Sequence, residues 1–171
     1  VALLASVEAN VTIDKQNITL DLGGHSVTGR VDLGNWNHDH GESRADGSLL
    51  KNGTVVAKGG DRPIRAWQSW TTVTVENVDV ILPGDVATAS NNRTIYCGSN
   101  QAANPVRLVL KNVTANGQFM GGGAHSMIVV ESGTYWDDFA AIRSSGGPLM
   151  ENVTIMGGTF YYDPSAKLAT G

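Results

Sequence analysis

The sequence predicts an all-β chain whose short strands coil around one apolar core, as a right-handed parallel β-helix of about six irregular rungs. The first observation is a set of asparagines that follow short apolar stretches at intervals of roughly 20 to 35 residues. These are Asn17, Asn52, Asn77, Asn112 and Asn152, and Ser132 fills the same place between the last two. The second observation is period-two alternation of apolar and polar residues, as in 72–76, 107–111 and 126–131. Helical periodicity is limited to one or two turns at the ends. The repeated unit of strand, asparagine and strand favours a coiled arrangement over two packed layers.

The repeated asparagines have a structural explanation. Asparagine tolerates the left-handed backbone region better than other non-glycine residues, so it bends one strand into the next. Stacked side-chain amides are expected to share hydrogen bonds along the coil, while Val, Ile and Leu form inward ladders. Most of the six Asn-x-Ser/Thr sequons coincide with these turns, so we interpret them as structural and expect several of these asparagines to be inaccessible. Right-handed coiling is the default for parallel crossovers.

Composition and charge limit the class of protein. The 171 residues suit a single domain, 1–171, and 21 glycines with 16% charged residues suit strands joined by turns. A net charge of −4 with 12 scattered Lys and Arg predicts no nucleic-acid partner. No apolar run approaches the roughly 20 residues of a membrane span. The only cysteine, Cys97, is interpreted as a buried small hydrophobe. Because the chain opens on Val1 without a signal sequence, we interpret it as a piece of a longer protein.

Two segments carry a family resemblance. Val11-Thr-Ile-Asp and Ile18-Thr-Leu-Asp-Leu-Gly-Gly-His-Ser-Val-Thr-Gly29 resemble the opening rungs of pectate-lyase-like right-handed parallel β-helix proteins. The tail, Gly157-Gly-Thr-Phe followed by Asp163-Pro-Ser-Ala-Lys-Leu-Ala-Thr-Gly171, is similar to a repeat ending in large secreted surface proteins of gut Firmicutes. The resemblance implies an extracellular module of the bacterial cell surface, often one of several in a long polypeptide. It does not imply one activity, because this fold hosts lyases, hydrolases and adhesins.

The catalytic motifs of the enzymatic relatives are incomplete in this chain. Asp137 and Asp138 are adjacent, but the Gly-His-Gly and Arg-x-Lys motifs of polygalacturonase-like hydrolases are missing. Neighbouring residues of a strand point to opposite faces, so a joint catalytic role for this pair requires a turn. A turn-capping pair with Arg143 is the favoured interpretation, and no catalytic residue is predicted.

Ligand binding is expected on the irregular segments between strands, since solenoids extrude insertions that often bind. Arg62, Arg65, Trp67 and Trp70 form the best candidate patch for an acidic or glycan ligand. Trp36 and Trp136 are further candidate ligand-binding aromatics. The alternative is that these rings only cover the sides of the rungs.

The segment 35–46 is the densest polar cluster. Asn35, Asn37, Asp39 and Asp46 resemble calcium-loop spacing, although the glycine falls one place late and no helices flank it. A transition-metal site at His38 and His40 is a second possibility. A solvated loop is the favoured interpretation, so no cofactor is predicted, with calcium left open.

These observations predict a non-enzymatic surface or adhesion module that binds a glycan or a host surface protein through lateral loops. The first alternative is a polysaccharide-active lyase or glycoside hydrolase. The second is a structural spacer that self-associates end to end.

Overall fold

The structure, a computed structural model, describes eight ranges of the chain: 1–34, 45–59, 62–67, 71–83, 93–98, 106–122, 125–136 and 153–161. Within these ranges the protein is all-β, as predicted, and it has sixteen strands. The first eight are β1 (Val7–Glu8), β2 (Val11–Ile13), β3 (Thr19–Asp21), β4 (Ser26–Thr28), β5 (Val31–Leu33), β6 (Leu49–Val56), β7 (Ile64–Trp67) and β8 (Thr71–Ile81). The others are β9 (Arg93–Gly98), β10 (Val106–Lys111), β11 (Val113–Ala115), β12 (Gln118–Gly122), β13 (Ser126–Val130), β14 (Gly133–Trp136), β15 (Val153–Ile155) and β16 (Thr159–Tyr161).

The described strands form two sheets, and every pairing between them is parallel. A small sheet of five strands has the order β12-β9-β7-β5-β2, and the other eleven strands form a large sheet. Each strand pairs with one from a neighbouring stretch of sequence, which requires a crossover between the two. This architecture is compatible with the predicted coil. None of the described residues belongs to a helix with the length and apolarity that a membrane crossing needs.

The core consists of columns of apolar side chains in register across successive strands. One column of the large sheet is Leu20, Leu50, Val75, Leu110, Val130 and Ile155. A second is Val7, Val27, Val55, Val80, Ala115, Tyr135 and Phe160. The small sheet contributes Ile13, Leu33, Ala66 and Cys97. Most of these side chains are buried. The apolar positions of the period-two alternation are therefore the ones that point into the core.

The asparagine turns form a ladder along one corner of the large sheet, as predicted. Asn52, Asn77 and Asn112 have positive φ angles of 60°, 54° and 48°. Asn112 donates from Nδ2 to Oδ1 of Asn77 at 2.9 Å, and Asn77 donates to Oδ1 of Asn52 at 3.3 Å. Asn52 in turn donates to the carboxylate of Asp21 at 3.1 Å. Ser132 continues the ladder, since its Oγ accepts the backbone N–H of Asn112 at 2.8 Å.

Two details of the asparagine prediction are wrong. Asn17 also has a positive φ of 58°, but it lies five residues upstream of the ladder column and bonds through its backbone N–H to the Asp46 carbonyl. In that stretch a longer turn containing Gly23 and Gly24 takes the place of the asparagine. The asparagines of the ladder are also accessible to solvent, contrary to the prediction. Asn112 is exposed and Asn52 is half-buried, because the corner faces solvent.

A column of alternating charge runs beside the asparagine ladder. Strand register and backbone hydrogen bonds align its members, which are Asp21, Lys51, Glu76, Lys111 and Glu131. Lys51 lies 3.4 Å from Asp21, and Lys111 lies 3.3 Å from Glu131. Like charges directly opposite on neighbouring strands are destabilising, so this alternation favours the observed register over a slipped one.

Candidate functional site

The strongest candidate site lies on the outward face of the small sheet. Register places Asp32 of β5 beside Arg65 of β7, and Arg65 beside Tyr96 of β9. Their chain neighbours on both sides, such as Ile64 and Ala66, belong to the apolar core. Because successive side chains of a strand point to opposite faces, the three polar positions form one column on the outside.

Asp32 is the centre of this site. Its carboxylate accepts two hydrogen bonds from Arg65, one from Nε to Oδ1 and one from Nη2 to Oδ2 at 2.9 Å. Arg30 donates from Nε to Oδ2 at 3.0 Å, and Trp67 donates from Nε1 to Oδ1 at 3.1 Å. Asp32 is only 5% exposed, so a carboxylate there requires such partners. The four donors hold Arg30, Arg65 and Trp67 in fixed positions around it.

Two aromatic rings and a third arginine complete the arrangement. The rings of Trp67 and Tyr96 lie 4.8 Å apart between centroids, tilted by 57°. The guanidinium carbon of Arg65 lies 5.0 Å from the Trp67 ring centroid, and that of Arg62 lies 4.5 Å from the Tyr96 centroid. Both contacts are within the range of a cation–π interaction. We call the six residues Arg30, Asp32, Arg62, Arg65, Trp67 and Tyr96 the arginine cluster.

Three guanidinium groups and one carboxylate meet in the arginine cluster. The planar fork of a guanidinium presents its N–H donors in a geometry that matches the two oxygens of a carboxylate, as the two hydrogen bonds from Arg65 to Asp32 show.

The structure brings part of the predicted ligand-binding set together. Arg62, Arg65 and Trp67 meet in the arginine cluster, whereas Trp70 and Trp36 lie outside the described residues. Trp136 lies elsewhere, on β14 of the large sheet, where it is 41% exposed and stacks on Tyr161 at 5.5 Å. Binding of a ligand by any of these residues stays a prediction.

Sequence reasoning missed Arg30 and Asp32, and it did not place Tyr96, one of the candidate aromatics, beside the arginines. The missing signal was register: each residue sits on a different strand, and only the pairing of β5, β7 and β9 shows that they are neighbours. Within the sequence, Asp32 and Tyr96 each stand between two apolar residues, which is the pattern of an outward-facing position.

The predicted calcium set falls mostly outside the described ranges. Asn35, Asn37 and Asp39 are among the residues that the structure does not describe, as are His38 and His40. Asp46 is described, and its Oδ1 accepts the backbone N–H of Thr72 at 3.3 Å, which is a turn contact. The described residues contain no group of three or more His, Cys, Asp or Glu side chains placed to hold a metal ion.

The described nucleophile and carboxylate candidates are poorly suited to catalysis. Cys97 is fully buried, as predicted, and burial raises the pKa of its thiol to about 12. A thiol with that pKa is almost entirely protonated at neutral pH and is a weak nucleophile. Asp32 already accepts four hydrogen bonds, which occupies its lone-pair positions. The pair Asp137 and Asp138, together with Arg143, lies outside the described residues.

Comparison of the chain with protein-family models, with curated proteins and with solved structures finds no match. The resemblance to pectate-lyase-like proteins therefore stays a prediction from the sequence motifs.

Proposed function

We propose that this chain is a right-handed parallel β-helix of about six rungs that works as a non-enzymatic ligand-binding module of the bacterial cell surface. Three features support the coil: the parallel pairing of all described strands, their crossovers at repeat-like intervals, and the asparagine ladder. We infer the right-handed sense of the coil from the general rule that parallel crossover connections are right-handed. The family likeness of the opening and closing segments supports the extracellular location.

The observation that carries the binding function is the arginine cluster. The cluster combines a buried aspartate that accepts four hydrogen bonds with three arginines and two aromatic rings. Such a specific arrangement is not required for the stability of the outer face of a sheet. Replacing buried ion pairs by apolar residues of similar volume is often neutral or stabilising, so their presence suggests a use beyond folding. We infer that these fixed guanidinium groups bind a ligand, and that this ligand is a host or microbial glycan.

The proposal is non-enzymatic because the cluster lacks the parts of an acid–base site. Glycoside hydrolases use two carboxyl groups about 5–9 Å apart. Within the described part of the cluster Asp32 is the sole carboxylate, and Arg30 and Arg65 both donate hydrogen bonds to it. A binding role requires no proton transfer and fits this arrangement.

End-to-end self-association is a second candidate function, supported by a separate observation. Apolar side chains are exposed near the first described strand, at Val1 and Leu4, and near the last ones, at Ile155, Met156 and Tyr161. Parallel strand edges at both ends of a coil provide templates for pairing with another copy. Sedimentation velocity over a range of protein concentrations tests this role, and a monomer at all concentrations would exclude it.

The test of the binding function is a glycan array probed with the purified chain, with calcium and again with a chelator. The variant Arg62→Ala removes the guanidinium that lies over the Tyr96 ring and leaves the four described hydrogen bonds of buried Asp32 in place, so we expect it to fold. The matched control is Arg107→Ala, which removes one exposed arginine from β10 on the other sheet. Binding that is lost in Arg62→Ala and kept in Arg107→Ala supports the proposal. An array with no bound glycan, on protein shown to be folded by circular dichroism, would reject a glycan ligand.

A further inference from the structure

We propose that Asn52 is a spontaneous modification site, which is stable while the asparagine ladder is intact and deamidates to aspartate or isoaspartate when β6 separates from its neighbours. The conversion then prevents the strands that precede β6 from pairing with it again. This inference is independent of the ligand-binding function. It follows from the residue after Asn52, from the hydrogen bonds of its amide and from the carboxylate that it faces.

Asn52 is chemically the most labile member of the ladder. It is followed by Gly53, whereas the other two asparagines of the ladder are followed by valines. Deamidation begins when the backbone nitrogen of the next residue attacks the side-chain amide carbon, and glycine hinders that attack least. Packing explains the glycine, since a Cβ there would lie 2.5 Å from the carbonyl oxygen of His25 and 2.5 Å from Cβ of Leu22. The fold therefore requires a labile pair at this turn.

Deamidation at Asn52 requires water alone as a co-reactant. The backbone nitrogen of Gly53 bonds to Cγ of Asn52 and gives up its proton, the bond from Cγ to Nδ2 breaks, and ammonia leaves a succinimide ring. Water then opens the ring at either of its carbonyl carbons. One opening gives aspartate, and the other gives isoaspartate, whose main chain runs through Cβ and Cγ.

The native ladder constrains the amide of Asn52. Its Nδ2 donates to the two carboxylate oxygens of Asp21 at 3.1 and 3.2 Å, and its Oδ1 accepts from Nδ2 of Asn77 at 3.3 Å. Asn52 also lies within β6, which pairs with β3 and β4 on one side and with β8 on the other. Ring closure removes Nδ2 from these hydrogen bonds and bends a backbone that is paired on both sides. We therefore expect the native rate of deamidation to be limited by local opening.

Either product is incompatible with the closed ladder. Aspartate at position 52 places a second carboxylate where the amide donated to Asp21. Two carboxylates at that distance repel each other and lose the hydrogen bonds. Isoaspartate adds an atom to the main chain in the middle of β6. Leu50 and Val55, which lie on either side of it, then lose their common register with β8.

Peptide mapping of the whole chain by mass spectrometry tests the first claim. The protein is kept at mildly alkaline pH, where deamidation is faster, both native and in urea above its unfolding midpoint. We expect Asn52 to convert at least about ten-fold faster in urea than in the native state, as protection by local structure implies. Asn77 and Asn112 are internal references, and we expect both to convert far more slowly in urea. Equal rates for Asn52 in both states, or a rate in urea no faster than that of the references, would overturn the inference.

Variants of its two neighbours test whether the ladder protects Asn52. Asp21→Ala removes the acceptor of its amide, and Asn77→Gly removes the donor on the other side while it keeps the turn. We expect native conversion to be roughly five-fold faster in each folded variant, as the loss of one hydrogen bond implies. The matched control is Glu131→Ala, which removes the carboxylate at the opposite end of the charge column and is expected to keep the wild-type rate. Wild-type rates in both ladder variants would overturn the inference.

Refolding after a period in urea tests the consequence of the conversion. We expect the yield of refolded wild-type protein to fall as the converted fraction at Asn52 rises. Asn52→Gly is the matched control, because glycine keeps the positive-φ turn and cannot deamidate. This control retains Asn116 before Gly117, the other Asn-Gly pair of the sequence. An equal loss of yield in both proteins, or full refolding of converted wild type, would show that conversion at Asn52 does not block closure and would overturn the proposal.

Discussion

Asn112 donates a 2.9 Å hydrogen bond from its Nδ2 to Oδ1 of Asn77, although 35 residues separate them in the sequence. Both residues have positive φ angles, so each amide sits on a turn that glycine or asparagine adopts more readily than other residues. The bond joins two strand turns that the chain reaches one after another. It shows that the asparagine at this corner serves two purposes, backbone bending and cross-strand pairing.

Substitution of Asn77 separates these two purposes. Asn77→Ala removes two side-chain hydrogen bonds and places an alanine at φ 54°, so we expect a loss of about 2 kcal/mol in the free energy of unfolding. Asn77→Gly keeps the turn and removes only the hydrogen bonds, so the expected loss is about 1 kcal/mol. Urea denaturation measures both. If both variants unfold at the wild-type midpoint, the ladder contributes nothing to stability.

The alternating charge column predicts the effect of reversing Lys111. Lys111→Glu places a carboxylate between Glu76 and Glu131, and we expect a loss of about 1 kcal/mol in the free energy of unfolding. Lys111→Gln removes the attraction without adding repulsion and is the matched control, with a smaller expected loss. Because the pair is partly exposed, 1 M salt is expected to reduce the difference between the two variants. A Lys111→Glu protein as stable as the glutamine control would show that the alternation has no role in register.

Asp21 predicts a pH dependence of stability. The backbone N–H of Gly23, the side chain of Asn52 and the nearby Lys51 hold the pKa of the Asp21 carboxyl below its usual value. A carboxyl with a depressed folded pKa stabilises the fold above its unfolded pKa of about 3.9, and this contribution is lost as the pH falls through the folded value. The stability advantage of the wild type over Asp21→Asn is therefore expected to be full at about pH 5 and to shrink on acidification below about pH 4. Thermal unfolding of both proteins across this range measures it, and a constant difference would contradict the assignment.

Cys97 predicts a chemical probe of unfolding. Its thiol is buried and its pKa is raised to about 12, so the thiolate fraction at pH 8 is roughly a thousand-fold below that of an ordinary cysteine. We expect iodoacetamide to label the native protein very slowly and to label it rapidly in urea above the unfolding midpoint. Mass spectrometry of the alkylated chain measures both rates. Labelling of native protein at the rate of an unfolded chain would show that the small sheet does not shield this side chain.

The fold was more predictable than the site because the two depend on different kinds of information. Alternation in stretches such as 107–111 fixes which side chains point inward, and the asparagine turns mark where strands bend. These are local signals that a single sequence carries. The exception was Asn17, whose motif resembles the others although register places it in a different column.

The site depends on register between strands that are distant in sequence. Asp32 and Arg65 are 33 residues apart, and no local pattern marks them as partners. The role of Trp67 was also beyond local reasoning, because an exposed ring and a ring covered by an arginine look alike in a sequence. Arg62, Arg65 and Trp67 were identified as a group because they lie within six residues of one another and so share a neighbourhood in any fold.

The most direct test of the central claim, that the arginine cluster holds the ligand, is a nuclear magnetic resonance titration of the arginine side chains. Each Nε–H group gives its own ¹H–¹⁵N signal, and the ligand to add is the glycan that binds most tightly on the array. We expect the signals of Arg62 and Arg65 to shift with this glycan while that of Arg107, on the other sheet, stays in place. Shifts at Arg107 without shifts at Arg62 and Arg65 would contradict the claim.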